Sequence, residues 1–240
     1  MIRKYKKLLY DAIILYKSNI KELIMFSLIN FLCCLLFYWC ILYKSSSIVY
    51  FTLLLFSFCI WILTECGIVF YCNRSLLYFK PTIKLAYKFA QRNVIKYLIL
   101  NIKVAMVIRL FMVTAVLLIG LPINLLYIMI LLLIIMTIFY AKIILAIPIF
   151  VSKEDKGGEL TMAMELAEGN IGLIALCIIP YIIIQIWPWI VTLIINFQVA
   201  LSTNQYIAIA VVYSVILLLM YPFAYICLDL CFRNINPSKE

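Results

Sequence analysis

Apolar residues run almost unbroken along this chain, and the polar ones collect at intervals that cut it into lengths suited to a lipid bilayer. A helix needs about 20 apolar residues to cross a hydrocarbon core of roughly 30 Å. Six stretches meet that requirement: Leu23–Tyr43, Ile48–Cys72, Tyr97–Leu121, Leu125–Phe150, Ile171–Phe197 and Tyr206–Leu230. Of the segments between them, Lys44–Ser47, Gly120–Asn124 and Gln198–Gln205 are short and nearly uncharged, while Asn73–Lys96 and Val151–Asn170 are longer and charged. The pattern predicts an all-α, polytopic integral membrane protein with six transmembrane helices arranged as three hairpins.

The segments entering the odd-numbered spans resemble one another. They read Ala12-Ile-Ile-Leu-Tyr-Lys-Ser-Asn19, Ala86-Tyr-Lys-Phe-Ala-Gln-Arg-Asn93 and Ala163-Met-Glu-Leu-Ala-Glu-Gly-Asn170. In each, Ala stands seven residues before Asn, a large apolar residue four before it (Leu15, Phe89, Leu166), and Ile or Val directly after. Asn tolerates left-handed backbone and caps helix starts, which suits it to an elbow. The register predicts three repeat units at roughly 8–72, 78–150 and 159–230 of a single membrane domain. Each unit is an amphipathic interfacial helix, a bend at Asn19, Asn93 or Asn170, and a helical hairpin.

Composition sharpens this picture. The 240 residues are 68% hydrophobic and 12% charged, against about half and a quarter in soluble domains. The basic, amphipathic start is not the pattern of a cleaved signal peptide, and no length is left over for a soluble catalytic domain. Orientation follows from Lys and Arg, which accumulate in cytoplasmic loops. The N-terminal flank, the 73–96 connection up to but not including Lys96, the 151–170 connection and the C-terminal tail together hold fifteen, against Lys44 alone on the other side. Both termini are therefore expected in the cytoplasm of a cell that carries the chain in its plasma membrane. The net charge of +10 then serves the anionic inner leaflet, where each cation near the surface contributes about 1 kcal/mol. It needs no nucleic acid.

Candidate chemistry is sparse. With no histidine in the chain, zinc sites and Ser-His or Cys-His catalysis lose their usual ligand and base, and no cofactor motif is present. The nine cysteines lie in or beside apolar runs, where they act as small hydrophobes. Ionisable residues inside spans are costly and mark candidate sites. Glu65 and Lys142 each fall 17 residues from the outer start of their spans, roughly 25 Å deep, and Arg109 is within reach of that depth. Glu65, Arg109 and Lys142 are thus a candidate intramembrane polar cluster; the alternatives are a structural ion pair or snorkelling of Lys142 to the headgroups. Asp229 and Arg233 are spaced to pair along the last helix. Pro180 and Pro188 predict a bent fifth span.

The run Pro148-Ile-Phe-Val-Ser-Lys-Glu-Asp-Lys-Gly-Gly-Glu-Leu-Thr-Met-Ala-Met-Glu-Leu-Ala-Glu-Gly-Asn170 resembles a segment of the glycerophosphodiester phosphodiesterase membrane domain and of related polytopic families. The ending Tyr225-Ile-Cys-Leu-Asp229-Leu-Cys-Phe-Arg233 is similar to their terminal Tyr, Asp, Arg pattern. Glu168 stands where the family has a basic residue, and the terminal spacing is looser. A second bacterial family, associated with carbohydrate-uptake gene clusters, has a similar plan. The resemblance implies a fold; the family's phosphodiesterase chemistry belongs to a separate soluble domain.

These readings lead to a non-enzymatic membrane protein, an accessory, scaffold or lipid-organising component whose partners are inner-leaflet lipids and other membrane proteins. The alternative is a transporter or lipid- or solute-handling protein that uses the intramembrane charges.

Overall fold

The computed structural model describes residues 2–43, 47–76, 81–118, 135, 137–153, 158–181 and 203–236. Its regular elements are all helices: α1 (Ile2–Ser18), α2 (Ile20–Tyr43), α3 (Ser47–Ser75), α4 (Ile83–Leu118), α5 (Ala146–Lys153), α6 (Glu159–Ala167), α7 (Ile171–Cys177) and α8 (Thr203–Ile235). Residues 137–143 are also helical and lead into α5 through a turn at 144–145.

Two described helices, Phe51–Ser75 in α3 and Leu218–Ile235 in α8, are long and apolar enough to cross a membrane, and the bent pair α6–α7 makes a third if taken together. α2 covers the first predicted span, and the C-terminal part of α4 covers most of the third. Much of the stretches Leu125–Phe150 and Ile171–Phe197 lies outside the described residues, as do Pro188 and its flanking tryptophans.

Burial separates the helices into inner and outer members. The ends of α3 and α8 and most of α5 are enclosed almost all round: Cys66–Asn73, Ile144–Val151 and Ala224–Asp229 are all buried. A helix apolar on every side and buried on every side belongs at the centre of a bundle, and α3, α5 and α8 contact one another there. The N-terminal segments pack around them in a cyclic order. α1 lies on α8, α4 on α3, and α6 on α5, so each unit's leading helix covers the inner helix of the unit before it, and the first covers the last. Rings hold these contacts: Tyr16 meets Phe223 edge-on at 5.9 Å, and Phe89 stacks on Phe70 at 4.3 Å.

The repeat register has a physical counterpart. Ala12, Ala86 and Ala163 are all fully buried, the small side chain letting each leading helix approach its inner neighbour closely. Asn19, Asn93 and Asn170 each donate a side-chain N–H to the carbonyl four residues back, of Leu15 at 2.9 Å, Phe89 at 3.1 Å and Leu166 at 3.3 Å.

The backbone, however, differs among these three positions. α6 and α7 meet at 111°, and Gly169 sits in the turn at φ 79°, a left-handed conformation that costs glycine nothing and other residues about 1–2 kcal/mol. At Asn19 the helix is interrupted for a single residue, with the bonds Asn19 N–H to Leu15 O and Leu23 N–H to Asn19 O still in place. At Asn93 the expected elbow does not exist: α4 runs without a break from Ile83 to Leu118. The residue before Asn93 is Arg92, a good helix former where the third unit has glycine. Asparagine bonded to its own helix does not by itself break it; the glycine does.

The outer surface is apolar where a soluble protein would be polar. Phe51, Phe56, Ile95 and Met106 are exposed, while Glu65, Asn73 and Asp229 are each 1% exposed. Such an arrangement is at odds with water and matches a hydrocarbon surround.

Candidate functional site

The buried polar groups converge between α3, α4 and α8. Glu65 and Asn73, eight residues apart on α3, share one face. Tyr221, Tyr225, Asp229 and Arg233, each four residues from the next, form a stripe along α8. On α4, Tyr97 and Asn101 make a third pair at the same spacing.

Glu65 is the hub. Its Oε1 accepts a hydrogen bond from Asn101 Nδ2 at 2.9 Å and from the Tyr225 hydroxyl at 2.5 Å. The Tyr225 hydroxyl oxygen is also 3.4 Å from those of Tyr97 and Tyr221, and Asn101 Nδ2 is 3.5 Å from Tyr97. Around this core the rings of Tyr140 and Tyr181 stack at 6.1 Å, and Tyr181 meets Tyr225 edge-on at 5.6 Å. The site therefore draws on all three repeat units. All five tyrosines are buried, and Glu65 Oε2 has no hydrogen-bond partner among the described residues.

One to two helical turns further along, a second set of contacts ties α3 to α8. Asn73 Nδ2 donates to Asp229 Oδ1 at 3.0 Å, and the Arg233 guanidinium donates to the Asn73 carbonyl at 3.0 Å. The Cys72 thiol lies 3.8 Å from the carbonyl of Pro222, a proline inside α8. Asp229 and Arg233 are thus joined through Asn73, and Asp229 is buried rather than exposed on the surface as its simple pairing with Arg233 implied. α3 packs over the end of α8 and supplies the partner that the spacing along α8 did not reveal. The terminal Tyr225, Asp229 and Arg233 all serve the same contact, each reaching α3.

The predicted cluster of Glu65, Arg109 and Lys142 stands differently. Neither cation is among the hydrogen-bond partners described for Glu65. The side chain of Arg109 lies outside the described residues. Lys142 is half-buried, two residues from Tyr140, and two residues turn a helix by roughly 200°. With Tyr140 facing the tyrosine cluster, Lys142 lies on about the opposite side. Depth along a span matched Lys142 to Glu65; rotation about the helix axis separates them. Tyr97, Asn101, Tyr140, Tyr181 and Tyr221 escaped the sequence reading, although the four-residue spacing of polar and tyrosine positions on α4 and α8 was there to be read.

Such a network can hold helices in register, since hydrogen bonds between spans find no competing water, and it can hold a proton or a cation at the free carboxyl oxygen. No three His, Cys, Asp or Glu side chains gather as metal ligands among the described residues. Five cysteines, Cys66, Cys72, Cys177, Cys227 and Cys231, are buried as free thiols. No protein-family model, curated protein or solved structure matches the chain.

Proposed function

We propose that the chain is a six-span protein of the plasma membrane with both termini in the cytoplasm, and that it works without catalysis as an accessory, scaffold or lipid-organising component. The observation that carries this reading is the division of the molecule into an apolar exterior and a polar interior whose groups bond chiefly to one another across α3, α4 and α8. Hydrogen bonds of this kind secure helix packing where the hydrophobic effect between spans is absent. The resemblance of residues 148–170 and of the terminal Tyr225, Asp229 and Arg233 to the glycerophosphodiester phosphodiesterase membrane domain supports the same architecture. Purification of the full chain in mild detergent tests the role. A membrane protein retained in fixed stoichiometry, or lipid retained through size exclusion, is the expected result. Recovery of neither would overturn the proposal.

A second reading, solute handling, is favoured by one observation: a fully buried carboxyl group with one oxygen left without a partner among the described residues. Under it, Glu65→Gln abolishes uptake or exchange in proteoliposomes while leaving the fold intact, because the amide still accepts from Asn101 and Tyr225. Under the scaffold reading the same variant changes nothing but stability.

A further inference from the structure

A cavity of about 530 Å³ opens on the molecule away from the Glu65 network, between α4 and the inner ends of α3 and α5. Its floor is aromatic: Phe70, Phe89 and Phe150 line it, with Phe70 and Phe89 stacked at 4.3 Å and Phe89 edge-on to Phe150 at 6.4 Å. Its wall is cationic. Lys88, Arg92 and Lys96 line it from successive turns of α4, and over that stretch the helix rises about 12 Å. None of the residues described as lining it is acidic. Arg74 adds a further cation nearby, 5.6 Å from the centre of the Phe70 ring.

The position of the cavity decides between a soluble anion and a lipid. Leu85, half exposed, lines it as well, and beyond Lys96 the same side of α4 carries exposed Ile99, Ile102 and Met106, with a single further exposed cation, Lys103, among them. The cations therefore thin out where the exposed apolar surface begins, and Lys103, the one further along that face, has the long side chain needed to snorkel back toward the headgroups. Charge at headgroup depth, an apolar floor beneath it and a mouth continuous with the hydrocarbon surface suit an amphiphile. A volume of this size accommodates a headgroup with its glycerol.

We propose that this cavity binds the headgroup phosphate of an anionic phospholipid of the inner leaflet. Arg92, with Lys88 or Lys96, takes the phosphate oxygens, guanidinium being suited to bidentate contact, and the phenylalanine floor receives the glycerol backbone and the first methylenes. The inference rests on the reading of the chain as a membrane protein with residues 73–96 at the cytoplasmic face, and deepens the lipid-organising role to one named site.

The full chain in neutral detergent, titrated with phosphatidylglycerol, phosphatidylcholine or inorganic phosphate while its thermal midpoint is followed, tests it. Phosphatidylglycerol is expected to raise the midpoint, and the other two to leave it unchanged. In K88Q/R92Q the apparent affinity for phosphatidylglycerol should fall by on the order of tenfold or more, given the contribution of each cation. K6Q/K7Q, which removes the same charge from α1, should retain it. Lys88 and Arg92 are exposed, so the core survives their loss, and the single variants K88Q and R92Q, read separately, serve if the double is unstable. Equal weakening in K6Q/K7Q, an equal response to inorganic phosphate, or no response to phosphatidylglycerol would each overturn the proposal. Alkaline carbonate extraction of the chain from membranes is read in parallel: release there sinks the membrane reading itself, whereas a retained chain without a lipid response sinks only this site.

Discussion

Replacing Tyr225 by phenylalanine removes one hydroxyl and leaves the ring, so it isolates the 2.5 Å bond to Glu65. A hydrogen bond to a charged group contributes about 1.5–3 kcal/mol in soluble proteins, whereas bonds between membrane helices average about 0.6 and reach about 1.7 kcal/mol. The short distance and the burial of both residues place this bond at the upper end of the membrane range, about 1.5 kcal/mol. For a chain of this length that corresponds to a fall of about 3–6 °C in thermal midpoint. Glu65→Leu should cost more, about 2–4 kcal/mol, because it strands both the Tyr225 hydroxyl and the Asn101 amide; the oxygens 3.4 and 3.5 Å away recover only part of the loss. The double variant Glu65→Leu/Tyr225→Phe should then cost less than the sum of the singles by about 0.6–1.7 kcal/mol. The assay is reversible unfolding in mixed micelles, or the thermal midpoint where unfolding is irreversible, for the two singles and the double. Additivity within about 0.3 kcal/mol, the behaviour of independent sites, would show that the two side chains do not interact, and the account of Glu65 as the hub would go with it.

Asn73→Leu should destabilise by about 1–3 kcal/mol, since Asp229 Oδ1 loses its donor and Oδ2 already lacks one; a melting curve matching the parent would refute the α3–α8 tie. Gly169→Ala should cost about 1–2 kcal/mol from backbone strain alone, because φ is +79° and a new Cβ would meet nothing within 4 Å. Arg92→Gly should weaken α4 before Asn93 and shorten the inter-spin distance between labels at residues 84 and 99 relative to the parent; an unchanged distance would mean that glycine at that one position does not set the elbow. In intact cells a membrane-impermeant thiol reagent should fail to label a cysteine placed at residue 160, and labelling there would invert the topology.

What the sequence determined alone follows from properties that act along one helix. Span-length apolar runs, the bias of Lys and Arg and the absence of histidine are independent of how the helices meet, and they suffice for an all-helical chain with membrane-crossing segments. The repeat register was legible for the same reason: Ala12, Ala86 and Ala163 recur at one distance from Asn19, Asn93 and Asn170, and the side-chain bonds of those asparagines go to their own helices. The break at the third position has a local mark too, Gly169 before its asparagine, whereas α4 runs on through Asn93 after Arg92. Tertiary structure alone decided what Glu65 and Asp229 touch. Depth along a span can be counted in residues, yet the direction in which a side chain faces is set by which neighbour covers it, and in lipid the inward side of a helix need be no more apolar than the outward side. So Lys142 matched Glu65 in depth and lies about half a turn away from the tyrosine cluster, whereas Asn101, unremarkable in the sequence, and Tyr225, marked there only as part of a terminal pattern, are the partners of Glu65 because α4 and α8 pack against that face of α3.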